Sequence, residues 1–153
     1  MSVIIQGSQQ RQIQVGAGPV SKASGAISGN PTINVFTVAG GEVLITGLWL
    51  KVTTSITTDG GTLAVNNVPT AGNTQVIVTA TDLGTTDSVA GTVVGLDRGT
   101  TAASKFLVGG RIDLNAVVTT GVVNLVGAAS VNGAVTVYVT WIPLSDGATL
   151  VAS

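Results

Sequence analysis

Val135-Thr136-Val137-Tyr138-Val139-Thr140-Trp141 is the stretch that decides the fold class. Val135, Val137, Val139 and Trp141 alternate with Thr136, Tyr138 and Thr140, the period of two that a half-buried strand requires. Val and Thr are stiff at χ1 and fit a pleated sheet better than a helix. Pro143 ends the pairing, because it has no amide hydrogen to give to a ladder.

Upstream, Glu42 to Thr57 makes a second long strand. Leu44, Leu48, Leu50, Val52 and Ile56 share one parity, while Val43, Ile45 and Trp49 share the other. Both faces are therefore apolar near its start, which predicts a strand covered on two sides. Ile33 to Val38 is rich in β-branched residues and stops at Gly40-Gly41, and Asp59-Gly60-Gly61 closes the long strand with a hairpin signal. Shorter strands are expected at Thr62 to Val65, Thr74 to Thr79, Ser88 to Leu96, Lys105 to Val108, Arg111 to Val118 and Val122 to Val126. Turn residues separate most of them at the spacing of sandwiches and barrels. No window has a sustained helical period; a single turn at Ala102 to Leu107 is the nearest approach. The expectation is an all-β chain, a β-sandwich or barrel of jelly-roll-like type.

The first thirty residues differ. Gln6, Gln9, Gln10, Gln12 and Gln14 crowd one segment, and Gly16-Ala17-Gly18-Pro19 leads into a small, polar stretch that ends at Pro31. Residues 1–31 are read as an extended N-terminal arm and residues 32–153 as one β domain. Within the arm, Val3-Ile4-Ile5 and Ile13-Gln14-Val15 can add a strand to a neighbour. The alternative is a first strand of the same domain followed by a loop.

Charge sets the class of partner. Only 8% of the 153 residues are Asp, Glu, Lys or Arg, against about 25% in an average soluble domain. Thr, Ser, Asn, Gln and Gly cover the surface instead, and these groups cost far less to desolvate than ions. Such a surface suits contact with other proteins. Six scattered basic residues and a net charge of −1 argue against nucleic acid, which requires clustered Lys and Arg. The uncharged run between Asp113 and Asp146 is interrupted by Thr, Asn, Ser and Gly, so it reads as strands rather than as a membrane span. Met1 to Gln6 lacks a basic leader and a long apolar run, which predicts synthesis in the cytoplasm without Sec export.

The residue supply also limits chemistry. With no His and no Cys, Ser-His-Asp and Cys-His catalysis and His- or Cys-ligated zinc are excluded. The acids fall singly at strand ends and in turns, where Asp bonds local backbone. A two-carboxylate glycosidase would also need an aromatic-lined cleft, and five aromatic residues are too few to build one. Asp82-Leu83-Gly84-Thr85-Thr86-Asp87 places two carboxylates around a glycine loop, but lacks the dense acids of a calcium loop. Gly16-Ala17-Gly18 lacks both the third glycine and the helix of a dinucleotide site. No catalytic residue, metal site or cofactor is expected, and the chain is read as non-enzymatic.

Val35-Phe36-Thr37-Val38-Ala39-Gly40-Gly41, Val43-Leu44-Ile45-Thr46-Gly47-Leu48-Trp49 and the tail Tyr138 to Ala148 resemble the small virion proteins encoded beside capsid genes in tailed bacteriophages. The resemblance spans most of residues 33–150 and is one of style rather than of a signature. It implies a capsid decoration, or cement, protein: a homotrimer on the outer head surface that binds the major capsid protein and ties capsomers together. Another virion part (tail tube, head fibre or spike) and a carbohydrate-binding adhesive domain are the alternatives. The expected subunit or capsid contacts are Val3, Ile4, Ile5, Gln9, Arg11, Ile13 and Val15 in the arm, with Thr136, Tyr138 and Thr140 on the terminal strand.

Overall fold

A computed structural model describes Gly7, residues 16–97 and residues 104–153. It is all-β. Its strands are β1 (Ala17–Ala23), β2 (Thr32–Ala39), β3 (Val43–Thr54), β4 (Thr62–Pro69), β5 (Gln75–Asp82), β6 (Val93–Asp97), β7 (Ser104–Val108), β8 (Asp113–Val118), β9 (Gly121–Ala128), β10 (Ala134–Pro143) and β11 (Thr149–Ala152). They form one sheet in the order β1-β10-β3-β6-β7-β5-β4-β9-β2-β11, with β8 beside β3 in line with β6. Antiparallel pairing runs through two arcs, β1-β10-β3-β6-β7 and β5-β4-β9-β2-β11. A short parallel pairing of β5 with β7 joins them on one side. On the other side β1 lies close to β11, where the Lys22 ammonium donates to the main-chain oxygen of Ser153. The result is a nearly closed, barrel-like sheet.

The interior holds side chains from both arcs. Val135, Val137 and Val139 of β10 are fully buried beside Leu48, Leu50 and Val52 of β3, and Phe36, Leu63, Val65, Val123 and Leu125 fill the opposite side. The alternation seen at Val135 to Trp141 therefore places the valines inward as expected, with Trp141 partly buried against the same core.

The long strand departs from expectation. Val43 and Ile45 point inward, and so do Leu48, Leu50 and Val52, although the two sets differ in parity. The switch occurs at a β-bulge: Thr140 faces Gly47 and Trp141 faces Ile45, leaving Thr46 as the extra residue. What reads in sequence as a strand apolar on both faces is one inward face whose phase slips by a residue. Gly47 permits the slip, since a Cβ there would lie 2.7 Å from Thr140 Oγ1 and 3.2 Å from the Ile112 carbonyl oxygen.

The N-terminal segment differs too. Residues 17–23, expected within an arm or, in the alternative, as a first strand of the same domain, form β1 and pair antiparallel with β10, from Ala17 opposite Trp141 to Ala23 opposite Thr136. Ile27 is buried and bridges to Gly133. Pairing with a strongly β-prone neighbour gives this small, polar segment a strand conformation that its own composition does not signal. Residues 1–6 and 8–15, which include all seven expected arm contacts, lie outside the described residues.

Two side chains pin loops. The Asp82 carboxylate accepts the Gly60 N–H on Oδ2 at 2.6 Å and the Gly84 and Thr85 N–H groups on Oδ1 at 2.7 and 3.1 Å. Asn132 Oδ1 accepts the N–H groups of Thr57 and Thr58 at 2.9 and 3.1 Å.

Candidate interaction faces

Outward-pointing residues of the first arc gather the three expected contacts of β10. Thr136, Tyr138 and Thr140 share its outer side, and register extends each into a row. Ser21, Tyr138 and Trp49 line up across β1, β10 and β3, while Ala23, Thr136, Lys51 and Val93 form the next row towards one end. Towards the other end, Thr140 meets Thr46, their hydroxyls 2.8 Å apart. Beyond them Ile142, Leu44 and Val117 form an apolar row across β10, β3 and β8.

At the centre of this face the rings of Trp49 and Tyr138 stack with centroids 5.2 Å apart and planes within 3°. Both residues are half-buried. Thr140, by contrast, is 8% exposed and spends its hydroxyl within the chain, so it supports the face rather than presenting surface. Thr136 is half-buried. Lys51 is the single charge in these rows, and it lies toward one end.

Sequence reasoning did not place Trp49 in the face, because its partnership with Tyr138 depends on the β3–β10 register. The bulge sets that register, and local composition does not encode it. The available signal was the parity of Trp49 relative to Leu48 and Leu50, which points its ring away from the core.

The second arc has an outer face of another kind. Its adjacent strands β4, β9, β2 and β11 contain no Asp, Glu, Lys or Arg. Asn66, Asn124 and Asn34 stand in register across β4, β9 and β2, pointing away from the core side that holds Val65 and Leu125. A neighbouring row runs Val68, Val122, Thr37 and Val151. Asn124 is 7% exposed, and its Oδ1, like that of Asn66, is buried with no hydrogen-bond partner among the described residues.

The acid pair of the glycine loop is divided. Asp82 commits its oxygens to the main-chain donors above, whereas Asp87 is exposed. The Thr85 hydroxyl, with the Gly84, Gly60 and Thr85 N–H groups, holds the Asp82 carboxyl below the usual carboxylate range against the opposing effect of burial. Its surroundings are donors, which suit a negative charge rather than a cation. No cluster of three or more His, Cys, Asp or Glu occurs among the described residues, and no helix among them is long and apolar enough to cross a membrane.

No family model, curated protein or solved structure matches the chain.

Proposed function

We propose that the chain is a virion structural protein that binds other protein subunits, acting as a capsid decoration protein on the head of a tailed phage. The supporting observation is the outer face of β1, β10 and β3, where a stacked Trp49–Tyr138 pair sits among threonines and aliphatic residues with Lys51 at one end. Depletion of charge with enrichment of Trp and Tyr is the composition of interface centres. Stacked rings on a rigid sheet also lose little entropy on docking, and Trp and Tyr are over-represented among the residues that carry binding energy. The phage assignment rests on the sequence resemblance. On this reading the face contacts the major capsid protein, the N-terminal segment extends the contact, and the chain performs no catalysis.

Co-sedimentation with shells assembled from the major capsid protein of the same phage tests this. Loss of an anchoring aromatic residue costs about 2 kcal/mol or more, so Trp49→Ala and Tyr138→Ala should each weaken binding roughly thirtyfold, with the barrel still folded by circular dichroism. Failure of the unaltered protein to bind would refute the assignment. Full binding by both variants would remove this face from the contact.

A further inference from the structure

We propose that Asn132 is a self-modification site, at which the main-chain nitrogen of Gly133 closes on the side-chain amide, ammonia leaves, and hydrolysis yields an aspartate held by the main chain of Thr57 and Thr58. The inference goes beyond the docking reading above and does not depend on it, because the site lies in the loops that join β3 to β4 and β9 to β10.

Three observations carry it. The first is the dipeptide. Asn132-Gly133 is the one Asn-Gly pair in the sequence. Four bonds separate the Asn132 Cγ from the Gly133 nitrogen, which keeps the two atoms within about 5 Å at any torsion. Glycine adds no side chain to shield that nitrogen. The fold also requires glycine there: its φ is +95°, and a Cβ would lie 2.8 Å from the carbonyl oxygens of both Thr54 and Ser55.

The second is the setting of the amide. Asn132 Oδ1 accepts the successive N–H groups of Thr57 and Thr58 at 2.9 and 3.1 Å. Consecutive main-chain donors that converge on one oxygen are an arrangement suited to anions. These distances are those of donors that stabilise an oxyanion, and Oδ1 is the atom that gains negative charge when the Gly133 nitrogen adds to Cγ. Asn132 Nδ2 donates to the Thr57 hydroxyl oxygen at 2.9 Å, so this hydroxyl can pass a proton to the departing nitrogen. In the balanced step, the bond from the Gly133 nitrogen to Cγ forms as that nitrogen gives its hydrogen to solvent. The bond from Cγ to Nδ2 then breaks, ammonia carries away the Thr57 proton, and solvent restores it. Asn132 is half-buried, so water reaches the resulting succinimide.

The third concerns the product. Water that opens the ring at Cγ gives aspartate, whereas opening at the Asn132 main-chain carbonyl gives isoaspartate and inserts an extra carbon into the main chain. The chain is anchored on both sides of this point. Val131 is fully buried, the Ile27 N–H donates to the Gly133 carbonyl oxygen at 2.7 Å, and β10 begins at Ala134. The folded chain therefore favours aspartate. Its carboxylate keeps both main-chain donors as stronger, charge-assisted bonds, and the Thr57 hydroxyl can turn to donate to the second oxygen. Asp82 already holds the same loop in this manner, through the Gly60 N–H.

The test is to incubate the full chain in mildly alkaline buffer, folded and, in parallel, unfolded in urea, and to map peptides by mass spectrometry with fragmentation that separates aspartate from isoaspartate. The folded sample should acquire the amide-to-acid mass change at residue 132, mainly as aspartate, while the urea sample should give mainly isoaspartate. Thr57→Val keeps both main-chain donors and removes the hydroxyl, so it should slow the folded reaction roughly tenfold or more. Thr57→Ser should restore the rate. Asn132→Asp, which makes the product directly, should melt no lower than wild type at neutral pH. A folded chain that keeps its amide while the urea sample converts, isoaspartate as the main folded product, a Thr57→Val variant that reacts at the wild-type rate, or an Asn132→Asp variant that melts below wild type would each overturn the proposal. These outcomes involve no capsid, so a failure here and a failure to bind shells are distinguishable.

Discussion

The β-bulge at Thr46 makes a prediction that separates it from a regular strand. In an unbroken strand Leu44 shares a face with Leu48 and Leu50, and Ile45 turns away with Trp49. In the barrel Ile45 is fully buried with Leu48 and Leu50, whereas Leu44 lies on the outside between Val117 and Ile142. Ile45→Ala removes buried methyl and methylene groups from a packed interior and should cost about 2–5 kcal/mol. Leu44→Ala forfeits only part of the ~1.5–3 kcal/mol that full burial of such a side chain is worth, or about 1 kcal/mol. For a chain of this length each kcal/mol lowers the melting temperature by about 2–4 °C, so the two variants should separate clearly in a thermal scan. Urea unfolding followed by tryptophan fluorescence measures the same difference, with the slope in denaturant unchanged if only native packing is altered. Leu48→Ala should resemble Ile45→Ala. A Leu44→Ala variant as damaged as Ile45→Ala, or more so, would refute the phase slip.

Other consequences follow from single contacts. Asp82→Asn replaces one acceptor by an amide donor, which must then face a main-chain N–H, so the variant should be less stable at neutral pH. Because the native carboxyl is held below its usual range, its stabilisation is present above the unfolded value and lost as pH falls through the native one. The gap between wild type and Asp82→Asn should thus close in strong acid, and a gap constant with pH in urea titrations would contradict the assignment. Deleting residues 2–15 should leave the barrel folded, since β1 begins at Ala17, while reducing affinity for shells. Undiminished affinity would remove that segment from the contact.

The all-β class was legible because Val and Thr alternate cleanly where a strand has one wet and one dry face, as in β10. Strands β2 to β10 lie where the sequence pattern places them, with shifts of a few residues at their ends. β11 was not legible, and β1 entered only as the alternative to an extended arm, a first strand of the same domain. β11 has only four residues, and β1 has one aliphatic branched residue, Val20, among Gly, Pro, Ser, Lys and Ala. Their pairing comes from neighbours distant in the chain, β10 for β1 and β2 for β11. The bulge was invisible for a similar reason: two apolar parities in β3 fit a doubly covered strand as well as a phase slip, and only the partner strand distinguishes them. Of the expected contacts on β10, Tyr138 and Thr136 lie on the outer face as alternation predicts. Trp49 and the asparagine row emerge only once strands from distant parts of the chain are set side by side.

The central claim is that this barrel works by surface fit, through the face centred on Trp49 and Tyr138. An electron cryomicroscopy map of capsid shells incubated with the protein tests it most directly. The account predicts ordered barrels on the outer surface with β1, β10 and β3 turned towards the shell. Bare shells, or barrels attached with that face open to solvent, would contradict it.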